Sequence, residues 1–203
     1  MTTPRDHLAA GDLSDAVAMQ DDVVAARPDD PAARLFLFEL LTLAGRLADA
    51  RDQLRLIDSP DPGWPRARRA FRHILKAARR REASRRPRFA LPPPLHARRR
   101  WNALVAVRDA RPDDAVTWID RADAATPEFA GHVDGREFDG LRDTDDRFAS
   151  VLEVFADGEY LWVPFDQLRR VALAPAAGVL DPAYRPARVT LTDGRELGGV
   201  VPL

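Results

Sequence analysis

The stretch GDLSDA at residues 11–16 returns as GRLADA at residues 45–50, and this repetition decides the fold of the first half of the chain. Two prolines recur at the same spacing of 34 residues, Pro28 as Pro62 and Pro31 as Pro65. Glycine adopts the positive φ that helix C-termini favour, and proline cannot continue a helix. Each unit is therefore expected to contain two antiparallel helices joined by a tight turn, with a proline ending the second.

A 34-residue period of paired helices is typical of tetratricopeptide (TPR) repeats. Apolar stripes support it in the second and fourth predicted helices, at Leu13, Ala16, Val17, Gln20 and Val24 and at Leu47, Ala50, Leu54 and Ile57. Residues 35–43 are apolar almost all round, which indicates a helix packed on both sides at the centre of the core. Helical segments at 101–110 and 115–125 predict a third, degenerate unit. Such an array buries its core by stacking and leaves a groove able to hold a partner helix.

After residue 130 the pattern changes to short segments rich in β-branched and aromatic residues. Five strands are predicted, at residues 151–155, 160–163, 169–173, 188–192 and 196–201. Asp157-Gly158 and Asp193-Gly194 supply the turns of two hairpins. We therefore predict an α+β chain with a TPR-like helical domain at residues 1–130. A small antiparallel β module follows at residues 131–203, built as an SH3-like barrel or a curled sheet.

Charge is distributed unevenly along the chain, although the formal net charge is only -1. The segment Arg66–Arg100 contains 14 Lys or Arg residues against one acid, Glu82. One interpretation is a solvated helix face that the acidic flanks partly neutralise. The other is a surface that attracts nucleic acid or an acidic partner. The sequence leaves both interpretations open.

Several function classes find no support in the sequence. There is no cysteine, no apolar run of the roughly 18 residues that a membrane helix needs, and no export signal at the start, so we expect a cytoplasmic protein without a membrane segment. The four histidines lack the spacing of a metal site, and phosphate-binding, dinucleotide-binding and serine-nucleophile motifs are absent. We expect no catalytic residue, no cofactor and no metal, and therefore no enzyme.

An acidic cluster at Asp143, Asp145 and Asp146 is the one feature that suggests a cation or acid/base chemistry. A calcium loop would need a glycine where Phe148 stands and a glutamate where Val154 stands. We expect the cluster to form a turn and an ion pair with Arg147. A hydrolase built on these carboxylates is kept as an alternative, and it would require perturbed pKa values in a cleft.

Three motifs follow one another in the second half: HVDGREF at 132–138, DTDDR at 143–147 and GEYLWVPF at 158–165. In order and spacing they resemble the core of the ImpE/TagJ family, whose members also open with TPR-like helices. The chain departs from the family pattern at Gly140, where the family has a tryptophan, and around residues 179–181, where an acidic stretch is eroded. The matching residues are candidates for a functional or structural surface: Asp134, Phe138, Asp143, Arg147, Tyr160, Trp162, Pro164 and Phe165.

The resemblance implies a non-enzymatic adaptor of the bacterial type VI secretion system. Such a protein would bind the contractile sheath through the N-terminal helix of the small sheath subunit, and would modulate sheath recycling by the ClpV unfoldase. The helical array would present the groove and the β module would brace it. Two alternatives use the basic segment 66–100 instead: a nucleic-acid-binding protein, and a generic TPR-type scaffold. The oligomeric state stays open.

Overall fold

The computed structural model describes residues 2–83 and 86–203; Arg85 of the basic segment lies outside these ranges. The N-terminal half of the described chain is helical. Its helices are α1 Pro4–Ala10, α2 Leu13–Ala26, α3 Pro31–Leu43, α4 Leu47–Leu56, α5 Trp64–Glu82, α6 Leu95–Arg108 and α7 Pro112–Asp123.

The repeated glycines follow helix ends as predicted, and Pro28 lies two residues beyond the end of α2. Gly11 and Gly45 follow α1 and α3 with φ values of 86° and 72°, a conformation that a side chain would strain. Pro31 opens α3, and the carboxylate of Asp30 caps that helix by accepting hydrogen bonds from the next free backbone amides. Local chemistry therefore fixes where these helices start and stop.

Helix α3 is the centre of the helical core, as its sequence predicts. Phe38 and Leu40 are fully buried, and the Phe38 ring lies 4.9 Å from that of Phe71 on α5. The buried Gln20 side chain donates a 2.8 Å hydrogen bond to the carbonyl of Ala33, so the polar atom on the α2 stripe is satisfied. Helices α2 and α4 bury the predicted stripes against α3.

The C-terminal half contributes most of a six-stranded sheet. The strands are β1 Arg88–Phe89, β2 Ala130–Val133, β3 Arg136–Asp139, β4 Val151–Ala156, β5 Glu159–Pro164, β6 Leu168–Leu173, β7 Tyr184–Leu191 and β8 Glu196–Pro202. The sheet order is β1-β5-β4-β8-β7-β6, and β2 and β3 form a separate hairpin. All five predicted strands are present, whereas β1, β2 and β3 are missing from the sequence-based prediction.

The sheet is open, so the predicted SH3-like barrel is not confirmed. Strand β1 runs parallel to β5 and occupies its outer edge, with Arg88 opposite Leu161 and Phe89 opposite Trp162. Closing a sheet into a barrel joins its two outermost strands, and without β1 these would be β5 and β6. Strand β1 therefore occupies the edge of β5 that closure would need. Strand β1 comes from the N-terminal side of residue 130, so the sheet draws on both predicted domains.

The two faces of the sheet bury different cores. One face packs on the helices and carries Val151, Phe155 and Trp162. The other face covers a second, smaller apolar cluster of the sheet's own side chains and of residues flanking β1: Val154, Ala156, Val163, Val189 and Leu191, with Ala90 and Leu91. Alternation along β4 and β5 therefore serves two cores at once.

Strands β4 and β8 approach closely at Gly199. A Cβ atom on Gly199 would lie 2.1 Å from the carbonyl oxygen of Phe155, which is far inside van der Waals contact. Val200 pairs with Phe155 at this point. A Cβ atom on the neighbouring Gly198 would have no heavy atom of the described residues within 4 Å outside its own chain neighbours.

We therefore predict that Gly199→Ala is destabilising and that Gly198→Ala is not. The first substitution forces β4 and β8 apart and should lower the free energy of unfolding by about 2 kcal/mol or more, the range of overpacked cores. The second should be neutral or stabilise by a few tenths of a kcal/mol, because alanine restricts the unfolded chain. Urea denaturation of both variants measures the difference. Equal stability of the two variants would contradict the close approach.

Candidate functional site

Trp162 is the centre of an aromatic cluster where the helices meet the sheet. Its side chain is fully buried. Three rings meet it edge-on: Phe89 of β1 at 6.1 Å, Trp101 of α6 at 6.2 Å and Phe148 of the loop before β4 at 5.5 Å between centroids. Edge-to-face contacts of this kind add to the stabilisation from buried area. The motif tryptophan therefore joins four separate segments of the chain.

A hydrogen-bond chain leads from this cluster to α5. The indole Nε1 of Trp162 donates to the Tyr160 hydroxyl at 2.7 Å, and that hydroxyl donates to Oε1 of Glu153. Arg81, in the last turn of α5, donates from Nε and Nη2 to the two oxygens of Glu153, both at 2.8 Å. Burial raises the pKa of Tyr160, and the hydrogen bonds to Glu153 raise the pKa of Arg81. Both groups therefore keep their protons throughout the neutral range.

The structure divides the eight family-motif residues among three places. Tyr160, Trp162 and Pro164 are buried in the sheet, and Phe165 is half-buried with its ring 5.5 Å from Phe129. The other four lie near or at the surface, Asp134 and Phe138 on the β2–β3 hairpin and Asp143 and Arg147 in the loop before β4. The motif is thus one buried group and two surface groups, and a shared binding role for them stays a prediction.

The two surface groups have clear local roles. Asp134 and Gly135, with φ values of 50° and 80°, make the tight turn of the β2–β3 hairpin. In the loop, Asp143 accepts the backbone amide of Asp145 at 2.8 Å, and the Arg147 guanidinium pairs with the Asp145 carboxylate. These hydrogen bonds from Arg147 lower the pKa of Asp145. The acidic cluster forms a turn and an ion pair, and the described residues hold no group of three metal-ligating side chains.

Arg100 is a buried cation that the sequence does not single out. Its side chain is 1% exposed on α6. Nη1 donates to the carbonyl of Asp146 at 2.6 Å, and Nη2 donates to the carboxylate of Asp123 at the end of α7. Arg100 therefore ties α6 to α7 and to the loop that carries Asp143 and Arg147. In the sequence it is the third of three consecutive arginines, and only tertiary packing distinguishes it.

His96 connects α6 to the open end of the β4–β5 hairpin, where β4 begins and β5 ends. Its Nδ1 lies 2.8 Å from Oγ of Ser150, and its Nε2 lies 3.4 Å from Oδ1 of Asp166. Burial lowers the pKa of His96. Serine, histidine and aspartate are the residue types of a hydrolytic triad, but Ser150 and His96 are each 1% exposed. A substrate has no access to this hydroxyl in the folded protein, so we interpret the contact as structural.

A basic groove lies between α4, α5 and the β4–β5 turn. The cavity has a volume of about 1260 Å³, and its lining contains eight Lys or Arg residues against a single acid, Asp157. Helix α4 provides Arg51 and Arg55, and α5 provides the others: Arg68, Arg69, Arg72, Lys76, Arg79 and Arg80. Leu54, Leu75 and Trp64 add the apolar part of the lining. The basic segment of the sequence thus forms one wall of a concave surface.

The β4–β5 turn borders this groove beside the middle of α5. A Cβ atom on Gly158 would meet Lys76 Cδ at 3.1 Å and His73 Cδ2 at 3.4 Å, so the turn lies directly against α5. The next residue, Glu159, accepts a 2.9 Å hydrogen bond from Lys76 Nζ, and this bond lowers the pKa of Glu159. The guanidinium of Arg80 lies 3.6 Å from the same carboxylate. Part of the positive charge is therefore neutralised beside the turn.

We predict that Tyr160→Phe destabilises the protein more than Tyr184→Phe. Loss of the Tyr160 hydroxyl leaves the Trp162 N–H without a partner in a buried site and removes one of the two hydrogen bonds to Oε1 of Glu153, which costs about 1–3 kcal/mol. Tyr184 is a matched control, because its half-buried hydroxyl makes no hydrogen bond to the described residues. Urea denaturation gives both values, and equal losses would show that the hydrogen-bond chain contributes little.

His96 should make stability depend on pH. Because burial lowers its pKa in the folded state, the unfolded chain binds a proton first as the pH falls below the ordinary value of 6.5. The stability that neutral His96 contributes is present above pH 6.5 and is lost below it. The difference in unfolding free energy between wild type and His96→Gln should therefore shrink between about pH 8 and pH 5. A difference that stays constant over this range would contradict the burial of a neutral imidazole.

Comparisons with known proteins agree with this architecture. Residues 7–81 match the tetratricopeptide repeat model, and residues 135–203 match the family described as ImpE protein. The chain is 29% identical to the type VI secretion system accessory component TagJ of Pseudomonas aeruginosa, over 96% of this chain and 71% of TagJ.

Among solved structures, the crystal structure of protein VPA1032 from Vibrio parahaemolyticus superposes with a TM-score of 0.90. It covers 99% of this chain and 77% of that protein at 21% identity, and this likeness shows the fold. The ImpE match contains most of the motif residues, and the match to TagJ extends over the helices as well. On these grounds the resemblance predicted from the motifs is confirmed: residues 135–203 match the ImpE family, and the chain is similar to TagJ along most of its length.

Proposed function

We propose that this protein is an accessory component of a bacterial type VI secretion system, acting in the cytoplasm as a non-enzymatic adaptor. The observation that carries the proposal is the similarity to TagJ, a protein named for that role, along 96% of the chain. The residues that could suggest catalysis support an adaptor instead, since Asp143 and Asp145 form a turn and Ser150 is buried. No helix of the described residues is long and apolar enough to cross a membrane.

The finer part of the proposal concerns the partner. We propose that the chain binds the contractile sheath through the N-terminal helix of the small sheath subunit, and thereby modulates sheath recycling by the ClpV unfoldase. The basic groove supports this, because helix recognition uses a groove that receives side chains at positions i, i+3, i+4 and i+7. Helix α5 has 19 residues and is about 28 Å long, so it can lie beside several turns of a partner helix.

The family-motif residues fit this proposal in two ways. We propose an indirect role for the buried motif residues Tyr160, Trp162 and Pro164. They hold α5 against the sheet, which keeps the groove in shape before the partner binds. Preorganisation of this kind strengthens binding because less order has to be imposed on association. Asp134, Asp143 and Arg147 would be accessible to a partner, so they are the motif positions at which direct contact is proposed.

Nucleic-acid binding is the second candidate function. The eight cations of the basic groove favour it, because Lys and Arg supply most of the affinity for phosphates. It predicts a logarithmic affinity that falls steeply with salt, by roughly one unit of slope for each phosphate contact. A gel shift with DNA over a range of salt concentrations tests it.

The adaptor proposal predicts saturable binding of a peptide that covers the N-terminal helix of the same organism's small sheath subunit. Isothermal titration calorimetry with the full chain should give a Kd in the micromolar range, typical of a single helix that has to be ordered on binding. A peptide of the same composition in scrambled order is the control and should give no saturable heat. If neither calorimetry nor fluorescence anisotropy detects the native peptide, the proposed partner is wrong.

A further inference from the structure

We propose that the basic groove is specific for an acidic helix, whose carboxylates pair with Arg69, Arg72 and Arg79 of α5. The inference rests on the proposed function in one respect only, namely that a partner helix occupies this groove. It adds the chemistry by which that helix is recognised. Specificity would come from charge and spacing, with the aliphatic stems of the arginines and the half-buried Trp64 covering the partner's apolar side.

The cations of the groove fall into two groups. Lys76 and Arg80 are compensated by Glu159. On α4, Arg51 and Arg55 both lie near the carboxylate of Asp52. Arg68 donates from Nη2 to the carbonyl of Arg55 at 3.4 Å. These five cations already have partners within the protein.

The second group consists of Arg69, Arg72 and Arg79, whose guanidinium groups form no ion pair with any residue in 2–83 or 86–203. Arg69, Arg72 and Arg79 are exposed and line the same concavity. Like charges gathered in a cleft repel one another and raise the local concentration of anions. A carboxylate-bearing partner would remove this repulsion.

Spacing favours a helical partner that lies along α5. The positions 69, 72, 76 and 79 are separated by three, four and three residues, so they share one face of the helix over about 15 Å. A second helix beside α5 presents a matching row when its own acids alternate at spacings of three and four. These positions thus form a row of positive charges with a defined spacing and not a diffuse positive field.

The carboxylate of Glu159, beside the groove, shows which chemistry suits these cations. Glu159 accepts from Lys76 at 2.9 Å and lies 3.6 Å from Arg80 and 3.8 Å from Arg88. The three cations come from α5 and β1 and converge on a single acid. An incoming carboxylate would meet the same kind of donors one or two turns further along α5, at Arg72 and Arg69.

The acids of the β4–β5 turn and the scarcity of aromatic rings disfavour a long polyanion. A nucleic-acid strand running the length of α5 would pass Asp157, the one acid in the lining, and Glu159 beside it. Trp64 is the one aromatic residue in the lining other than His73, whereas single-stranded nucleic acids are bound by rows of aromatic stacking platforms. A helical peptide can place an uncharged side chain opposite these acids, whereas a phosphate backbone carries a charge at every nucleotide.

Fluorescence anisotropy with the full-length protein tests the inference. The first probe is a labelled synthetic helical peptide with glutamates at alternating spacings of three and four, and the second is the same peptide with every glutamate replaced by glutamine. We expect the glutamate peptide to bind at least about 10-fold more tightly at low salt and to weaken as salt screens the pairs. Equal binding of the two peptides overturns the inference.

Charge reversal on α5 locates the site. Arg72→Glu should weaken the glutamate peptide by about 10-fold or more, because one attraction is replaced by a repulsion. Arg66→Glu is the matched control: it makes the same charge change on an exposed residue of the same helix, outside the groove lining. Circular dichroism and urea denaturation show whether both variants are folded. An equal effect of the two substitutions would mean a general field and would overturn the inference.

The same variants separate this inference from the proposed function. If the sheath-subunit peptide binds and Arg72→Glu leaves its affinity unchanged, the partner stands and the acidic-groove inference fails. If the glutamate peptide binds with the expected dependence on Arg72 while the sheath peptide does not bind, the inference stands and the proposed partner fails. If single-stranded DNA binds at least as tightly as the glutamate peptide and loses affinity in Arg72→Glu, the groove is a nucleic-acid site and the inference is overturned.

Discussion

The bidentate ion pair between Arg81 and Glu153 sets how the helical half meets the sheet. Glu153 is 9% exposed and Arg81 comes from the last turn of α5, so the pair fixes the end of α5 on the face of β4. A buried carboxylate that loses its only cation is strongly destabilising, because its desolvation is no longer compensated. The Tyr160 hydroxyl extends the constraint to Trp162, around which β1, α6 and the loop before β4 are packed.

Helix α5 carries two different surfaces as a result. Ala77 is buried, while Arg72 and Arg79 on the other side of the helix are exposed in the basic groove. Because Arg81 holds the helix in one rotational setting, the arginine row cannot turn towards the sheet. The contact of Gly158 with Lys76 and His73 then places the β4–β5 turn beside the middle of that row. The buried motif residues and the exposed cations are thus linked through the position of α5.

The sequence predicts the parts of this fold that depend on neighbours along the chain. Gly11, Gly45 and Pro31 fix helix ends by backbone conformation alone, and the alternation of residues 151–155 reveals β4. The sequence does not predict strand β1, because its two residues, Arg88 and Phe89, carry no periodicity and pair with a strand more than 70 positions away. The open sheet follows from that pairing, so the sequence does not predict the open sheet either. Local pattern gives the elements, and long-range pairing decides how they close.

The candidate site shows the same division. The family motifs identify Tyr160 and Trp162, yet nothing in a run of arginines distinguishes Arg81, which is paired with an acid 72 residues later, from Arg79, which faces the groove. Buried Arg100 and His96 are hidden for the same reason, since their partners Asp123, Ser150 and Asp166 lie elsewhere in the sequence.

The two sequence-based interpretations of the basic segment each describe a part of it. Acids from outside the segment neutralise several of its cations: Glu159 pairs with Lys76, Arg80 and Arg88, Glu153 with Arg81, and Asp123 with Arg100. These pairs hold the fold together and explain why a chain with a net charge of -1 tolerates such a run. Partial neutralisation also confines the remaining positive charge of the groove to one helix face, which Arg69, Arg72 and Arg79 share. A run of arginines that would otherwise be a diffuse field is thereby reduced to a short row of charges with a defined spacing.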